Sequence, residues 1–160
     1  MMVEIERKFL IASDEWRERI VDQIRIRQGY LTSDNTANSI RVRTVGKEAW
    51  ITIKSAGYLK RQEFEYKIPF EDGQQMLENL CPGYITEKIR YRVLEKEIMY
   101  EVNIFEGVNA GLSMVEVELS REDEVIQIPS WVGQEVTHDN RYYGAFIGDH
   151  PYTLWAVEKC

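Results

Sequence analysis

The sequence predicts a mainly β (α+β) protein, a closed eight-stranded antiparallel β-barrel with a few flanking helices. The first observation is alternation: through most of the 160 residues, apolar and polar side chains take turns, as they do in half-buried strands. The second is that turn-forming residues separate these segments at short intervals, and short connections favour antiparallel pairing. The third is that helical segments are few, so the sheet must protect its own edges, which closure into a barrel achieves.

Eight strands are predicted in chain order from the alternation. They cover residues 3–12, 24–32, 39–45, 48–55, 60–68, 84–94, 98–106 and 113–119. The turn signals between them are Ser33-Asp34-Asn35, Val45-Gly46-Lys47, Ala56-Gly57-Tyr58 and Asn109-Ala110-Gly111. A barrel of this strand number has room for interior side chains or for one small ligand.

Helices are expected at four places between and after the strands. Ser13 or Asp14 can cap a first short helix, because a side-chain oxygen there accepts a hydrogen bond from a free backbone N–H. The other three are predicted at residues 71–80, closed by Pro82-Gly83, at residues 142–146 behind a cap at Asp139, and at residues 152–157.

Composition limits the partners and the compartment. A length of 160 residues suits one domain spanning 1–160, and a net charge of −7 without a basic block argues against duplex nucleic acid as a partner. The two cysteines, Cys81 and Cys160, imply no disulfide framework, and no apolar run approaches the roughly 20 residues of a membrane span. The first charged strand begins at once, so we expect no signal peptide and a cytoplasmic location. The sequence leaves open whether the chain forms a homodimer.

One face of nearly every predicted strand is ionic. In the first strand, period-two spacing puts Glu4, Glu6 and Lys8 on one face and apolar residues on the other. The ionic faces of the later strands carry Arg41 and Arg43 (third), Lys54 (fourth), Glu63, Glu65 and Lys67 (fifth), Lys88, Arg90 and Arg92 (sixth), Glu101 and Asn103 (seventh), and Glu116 and Glu118 (eighth). Basic residues therefore cluster on the third, fourth and sixth strands, and acidic pairs stand on the first and last.

Two interpretations of this pattern compete. In most antiparallel sheets the polar face is simply solvated, and pairs of opposite charge across it contribute about 0.2–1 kcal/mol each. Here, however, the face is almost purely ionic, its signs are sorted by strand, and acidic pairs end the set. We therefore favour the second interpretation, in which the ionic face points into the barrel and the apolar face points outward beneath helices.

An ionic interior of this kind suits a metal–polyphosphate complex. Where the first and last strands meet, Glu4, Glu6, Glu116 and Glu118 would converge and repel one another unless a cation sat among them. Hard divalent cations such as Mg²⁺ or Mn²⁺ take oxygen ligands and often share them with phosphates. The facing Arg and Lys side chains would hold the phosphate oxygens, with Arg able to make bidentate contacts.

The same residues carry a resemblance to a known family. Glu4-Ile5-Glu6-Arg7-Lys8 resembles the ExExK motif of the CYTH superfamily, the triphosphate tunnel metalloenzymes. The resemblance continues, in order, through Ser39-Ile40-Arg41-Val42-Arg43, Thr52-Ile53-Lys54-Ser55, Arg61-Gln62-Glu63-Phe64-Glu65, Glu87-Lys88-Ile89-Arg90-Tyr91, Val115-Glu116-Val117-Glu118, Glu135-Val136-Thr137 and Arg141-Tyr142. It spans nearly the whole chain and is strongest to the short bacterial branch, whose members hydrolyse inorganic tripolyphosphate.

The resemblance implies a role for each matched position. Metal binding falls to Glu4, Glu6, Glu116 and Glu118, and triphosphate binding to Lys8, Arg41, Arg43, Lys54, Lys88 and Arg90. Glu63 and Glu65 match acids that bind metal or orient the bases, and Lys8, Glu4 and Glu6 form the catalytic centre. In the family, a metal-activated water attacks a terminal phosphorus.

One position departs from the family pattern. Asn103 stands on the metal side where relatives usually carry aspartate, and an amide cannot supply the lost charge. We expect Asn103→Asp to raise metal-dependent turnover. Because the native residue at this position is asparagine, a non-catalytic module that binds polyphosphate or another polyanion is an alternative function. The remaining alternatives are an adenylyl cyclase and a nucleoside or thiamine triphosphatase.

Two further residues are candidates for the ends of the barrel. Arg61 is a candidate gate residue at one mouth, and Tyr30 either packs or reaches a terminal phosphate.

Overall fold

The structure, a computed structural model, describes residues 2–34 and 37–155. Its strands are β1 (Val3–Ile11), β2 (Ile20–Tyr30), β3 (Ser39–Val45), β4 (Glu48–Lys54), β5 (Lys60–Ile68), β6 (Thr86–Glu95), β7 (Ile98–Glu106), β8 (Ser113–Glu118) and β9 (Val132–Glu135). Its α-helices are α1 (Phe70–Asn79) and α2 (Gly144–Asp149), and short 3-10 turns occupy Glu15–Arg19, Gly107–Asn109, Asn140–Tyr142 and Tyr152–Leu154.

The first eight strands close into an antiparallel barrel, which confirms the predicted fold class. Around the barrel the order is β1, β5, β4, β3, β2, β6, β7, β8 and back to β1. The closing strand is β1, because its residues Val3–Ile5 pair with β5 while residues Glu6–Phe9 pair with β8 on the opposite edge. The closed sheet has no free edge among these eight strands over the paired residues, so the alternation along each strand separates an inside from an outside.

A ninth strand was not predicted. Beyond the part of β1 that pairs with β5, the same edge of β1 pairs with β9, with Phe9 opposite Glu135 and Ile11 opposite Val132. The change of partner falls between Glu6, whose N–H donates to the Leu59 carbonyl at 2.9 Å, and Lys8, whose carbonyl accepts from the Val136 N–H at 2.8 Å. Four residues that include a glycine carry too little alternation to signal a strand. The consequence is that the chain after β9 lies directly beside Lys8.

The helices differ from the predictions at their ends and in type. The first is a 3-10 turn at Glu15–Arg19, and β2 already begins at Ile20. Asp139 acts as the predicted cap, since its Oδ1 accepts from the Arg141 N–H at 3.1 Å, but the segment behind it breaks at Tyr143 into a 3-10 turn and α2. Asn35, Cys160 and residues 156–157 of the predicted last helix lie outside the described residues.

The main hydrophobic cluster lies outside the barrel. Outward-facing side chains of β1, β6, β7 and β8 pack against Trp16 of the first 3-10 turn and against Trp131, both of which are almost fully buried. The apolar side chains of this cluster therefore point outward as predicted, whereas Phe105 and Met114 face the hollow. The outer face is not covered everywhere: α1 packs on β3 and β4, while Phe64 and Tyr66 on β5 remain 37% and 56% exposed. Within the described ranges, the helices are all too short or too polar to span a bilayer.

Candidate functional site

The ionic faces of the strands meet inside the barrel. Two adjoining cavities there share several lining residues, among them Glu6, Arg41 and Glu116. We call the first the basic chamber, lined by Lys8, Arg41, Arg43, Lys54, Arg61, Lys88 and Arg90 together with Glu6, Glu116 and uncharged residues, and the second the acidic mouth, to which Glu4, Glu63, Glu65, Glu101 and Glu118 contribute. Of the site residues predicted from the sequence, all but Asn103 line one or both cavities.

Strand register brings the acids and bases together. Because β1 and β8 run antiparallel with matched periods, Glu6 lies opposite Glu118 and Lys8 lies opposite Glu116. Side chains that are far apart in sequence thus share one wall of the hollow. Glu4, Lys8, Lys88 and Glu116 are each less than a tenth exposed, which is rare for charged groups unless they are paired.

The chamber neutralises itself through internal ion pairs. Lys54 Nζ lies 2.7 Å from Glu4 Oε2 and 3.1 Å from Glu63 Oε2. Lys8 Nζ stands midway between two acids, 3.5 Å from Glu6 Oε1 and 3.5 Å from Glu116 Oε1. The basic chamber holds only about 60 Å³ of free space, room for about two water molecules. The acidic mouth, which Arg41, Arg43, Lys54 and Arg90 also line, is larger at about 200 Å³.

The carboxylates differ sharply in acidity because their surroundings differ. Burial and the neighbouring Glu116 raise the pKa of Glu6 to about 8. Burial would also raise the pKa of Glu4, but Lys54 and Arg61 outweigh it and lower that pKa to about 2. The raised pKa of Glu6 is the expected response of a carboxyl group that is buried beside another carboxylate.

The basic half is short of negative charge. Burial, followed by repulsion from Arg90 and Arg43, lowers the pKa of Lys88 well below its usual value. Burial and the adjacent Arg41 do the same to Arg43. The Nε of Arg41 is buried and has no hydrogen-bond partner among the described residues. An anion with several oxygens would relieve both the repulsion and the missing hydrogen bond.

Asn103 is held at both ends of its amide. Its Oδ1 accepts from Arg90 Nε at 3.0 Å, and its Nδ2 donates to Glu116 Oε1 at 3.0 Å. The side chain is fully buried and lines neither cavity. Asn103 therefore links Arg90 to Glu116. An aspartate at this position could accept from Arg90 but could not donate to Glu116.

Several residues of the site were missed or differently placed by sequence reasoning. Gln28 is almost fully buried, and its Oε1 accepts hydrogen bonds from Arg43 at 3.1 and 2.9 Å. It was not predicted as a site residue because it shares its face of β2 with isoleucines, which gives that face an apolar pattern. Arg61, the candidate gate residue, donates to Glu4 Oε1 at 3.2 Å and lines the chamber. By contrast, Arg92 and Lys67 lie at the exposed rim in ion pairs with Asp22 and Glu48.

The far end of the chamber is closed by aromatic and apolar side chains. Phe105, Met114, Tyr143 and Ile147 line it there. Tyr30 also reaches it, and its hydroxyl rests against Gly144, where a Cβ would stand 2.1 Å from the Tyr30 oxygen. Glycine at 144 is thus required by this close approach, and Tyr30 both packs and lines the chamber.

The acidic residues suit a hard divalent cation by their chemistry. Among residues 2–34 and 37–155, no three acids, histidines or cysteines form a ready-made metal cluster, because lysine and arginine occupy the space between the carboxylates. Burial and then the neighbouring Glu116 raise the pKa of Glu6, so its ionised form would be stabilised by a nearby cation. Carboxylate oxygens are the ligands that Mg²⁺ and Mn²⁺ prefer.

A closed β-barrel whose hollow is acidic on one side and basic on the other defines a class of tunnel proteins built around charged ligands. The chain belongs to the CYTH domain family, whose model matches residues 2–145.

Named relatives share most of this chain. An inorganic triphosphatase of Acetivibrio thermocellus is 36% identical over 150 residues, which cover 93% of this chain and 95% of the relative. An inorganic triphosphatase of Nitrosomonas europaea is 39% identical over 144 residues, covering 88% and 93%. The crystal structure of the inorganic triphosphatase NE1496 superposes with a TM-score of 0.68 at 34% identity, over 92% of this chain and 95% of that one.

Proposed function

We propose that this chain is a metal-dependent triphosphatase that hydrolyses inorganic tripolyphosphate to pyrophosphate and phosphate inside its barrel. The observation that carries the proposal is the enclosed hollow in which buried carboxylates face buried bases. The similarity to inorganic triphosphatases over nearly the whole chain supports the same reaction.

The basic chamber is where the triphosphate would bind. Arg41, Arg43, Lys54, Lys88 and Arg90 surround the space, and Lys8 stands where the chamber meets the acids. Arginine can grip two phosphate oxygens at once, whereas lysine acts as a compact point charge. The unpartnered Nε of Arg41 and the mutual repulsion of Lys88 and Arg43 are both relieved by phosphate oxygens.

The acids would hold the metal, for which we propose Mg²⁺ or Mn²⁺. Glu6 and Glu116 line both cavities, whereas Glu4, Glu63, Glu65 and Glu118 line the acidic mouth alone. When bound, a divalent cation supplies positive charge to the reacting phosphate group and to its water nucleophile. We place Asn103 beside these ligands as the residue that orients Glu116 and Arg90.

Positioning and charge neutralisation do most of the work in phosphoryl transfer. Here the bases would hold the phosphates in line and offset their charge. Binding would exchange the ion-pair partners in the hollow. The lysines and arginines would leave the carboxylates for phosphate oxygens, and the carboxylates would then be available to the cation.

The test is a panel of phosphate-release assays with Mg²⁺ or Mn²⁺ on tripolyphosphate, pyrophosphate, ATP and thiamine triphosphate. We expect turnover of tripolyphosphate to exceed that of the others and to stop in EDTA. Lys8→Met should lower this turnover by about a hundredfold, since it removes a charge aimed at the reacting group.

The matched control for Lys8→Met is Lys67→Met, which removes an exposed lysine at the rim and should keep the wild-type rate. Tripolyphosphate binding without phosphate release would replace the proposal with a non-catalytic polyanion binder. Cyclic product from ATP would indicate a cyclase, and full activity in Lys8→Met would contradict the role of Lys8.

A further inference from the structure

The basic chamber ends on one aromatic ring that two of its cations share. Tyr143 lies between the 3-10 turn Asn140–Tyr142 and α2, and it is 6% exposed. The Lys8 ammonium lies 4.6 Å from the centroid of this ring, and the Arg61 guanidinium carbon lies 5.0 Å from the same centroid. Cations this close to an aromatic face are attracted by its negative charge distribution, and burial strengthens the attraction.

The ring is tied to the backbone of the residue it contacts. The Tyr143 hydroxyl donates to the Thr137 carbonyl at 2.8 Å, and Thr137 Oγ1 accepts from the Lys8 backbone N–H at 3.0 Å. Lys8 and Tyr143 thus belong to one hydrogen-bonded unit that joins β1 to the segment after β9. This segment lies beside Lys8 because β1 changes its strand partner there.

The ion pairs of Lys8 with Glu6 and Glu116 are longer than that of Lys54 with Glu4, so further contacts can help to fix its position. Its ammonium stays 3.5 Å from both Glu6 and Glu116, whereas Lys54 approaches Glu4 to 2.7 Å. A lysine side chain is long and flexible, so an ammonium without a short ion pair depends on other contacts for its position. The ring of Tyr143 offers such a contact, because the Lys8 ammonium lies over it.

We propose that Tyr143 is a positioning residue for the triphosphatase reaction. Its ring holds the Lys8 ammonium at the junction of the acidic and basic halves, and holds Arg61 at the same end. The inference rests on the proposed function, and it adds that binding of the polyanion depends on a side chain that carries no charge. Tyr143 acts through the cations and not by contact with the reacting atoms.

Two variants separate the ring from the hydroxyl. Tyr143→Phe keeps the aromatic face and loses the bond to Thr137, while Tyr143→Leu keeps apolar bulk and loses the face. We expect Tyr143→Leu to weaken tripolyphosphate binding by about tenfold, measured by calorimetry in EDTA, and Tyr143→Phe to stay within about threefold of wild type. Tyr152→Leu is the packing control, since the Tyr152 ring packs 4.9 Å from that of Trp155. It should leave binding unchanged.

A double-mutant cycle with Lys8→Met tests whether Tyr143 acts through Lys8. In that background, Tyr143→Leu should weaken binding by clearly less than tenfold, because one of its two cations is gone. Full additivity, or a loss in Tyr143→Phe as large as in Tyr143→Leu, would overturn the inference even if the leucine variant folds poorly. The calorimetric assay measures binding and not hydrolysis. If the wild type does not hydrolyse tripolyphosphate, the proposed function is refuted, but the effect of Tyr143 on binding can still be judged by itself.

Discussion

At the scale of single residues, Glu6 is a carboxyl group whose charged form is disfavoured by its surroundings in the barrel. Burial and then Glu116 raise its pKa to about 8 from an ordinary 4.5. Between these two values the folded protein binds a proton that the unfolded chain has released. This single group therefore lowers stability as the pH rises through that window. Below pH 4.5 both states are protonated and the effect disappears.

The pH dependence can be measured directly. In EDTA, between pH 5 and about 8, we expect Glu6→Gln to remove one downward contribution to the slope of the free energy of unfolding against pH, because an amide does not ionise. The lowered pKa of Lys88 contributes in the opposite direction and is common to both proteins. Glu122→Gln, a change at an exposed carboxylate, should keep the wild-type slope. A slope in Glu6→Gln as steep as in wild type would contradict the assignment. Saturating Mg²⁺ should also remove this contribution, since cation binding requires the ionised carboxylate.

At the scale of elements, the seating of α1 on the barrel depends on a helical glycine. Alanine normally stabilises a helix interior by about 1 kcal/mol over glycine. At Gly73, however, a Cβ would stand 2.6 Å from the Cβ of Ala49 on β4, closer than such atoms approach. The helix would have to lift from the two strands it covers.

We therefore expect Gly73→Ala to destabilise the protein by about 1–3 kcal/mol, the usual cost of overpacking, despite its better helix propensity. Denaturant unfolding measures this, with Gln74→Ala as the control on the exposed face of the same helix. A gain of stability in Gly73→Ala would show that α1 does not sit against β4 as described.

At the scale of the whole molecule, the two halves of the hollow are linked because each neutralises the other. If the site acts as proposed, phosphate binding would release carboxylates and cation binding would release lysines and arginines, so each ligand should improve the affinity for the other. This coupling is measured by the shift in unfolding temperature under three conditions: tripolyphosphate in EDTA, Mg²⁺ alone, and both ligands together. Each scan must be completed before much tripolyphosphate is hydrolysed. The shift with both should exceed the sum of the separate shifts, and Lys54→Met should reduce the excess. Simple additivity would argue against the exchange of partners.

Much of the fold and of the candidate site was predictable because the signal is local. Alternation with period two marks strands wherever they occur, and it placed Glu4, Glu6 and Lys8 on one face without any knowledge of neighbours. The period-two pattern did not predict β9, because that strand is too short to show alternation. It also did not identify Gln28 as a site residue, because Gln28 shares its face of β2 with isoleucines. The ionic pairs at the rim follow the same alternation as those in the hollow, so the sequence did not distinguish Arg92 from Arg90.

By itself, the sequence determined the eight strands of the barrel, the ionic face of most of them and the acidic and basic residue types that suit a metal–triphosphate complex. The tertiary structure decided which of those faces is enclosed, which ion pairs form, and that Asn103 and Tyr143 support charged neighbours. The physical reason is that a side chain's face is set by its own backbone, whereas its partners depend on closure and register. Closure and register are properties of the whole barrel. They depend on β1, whose edge changes partner from β5 to β9 beside Lys8.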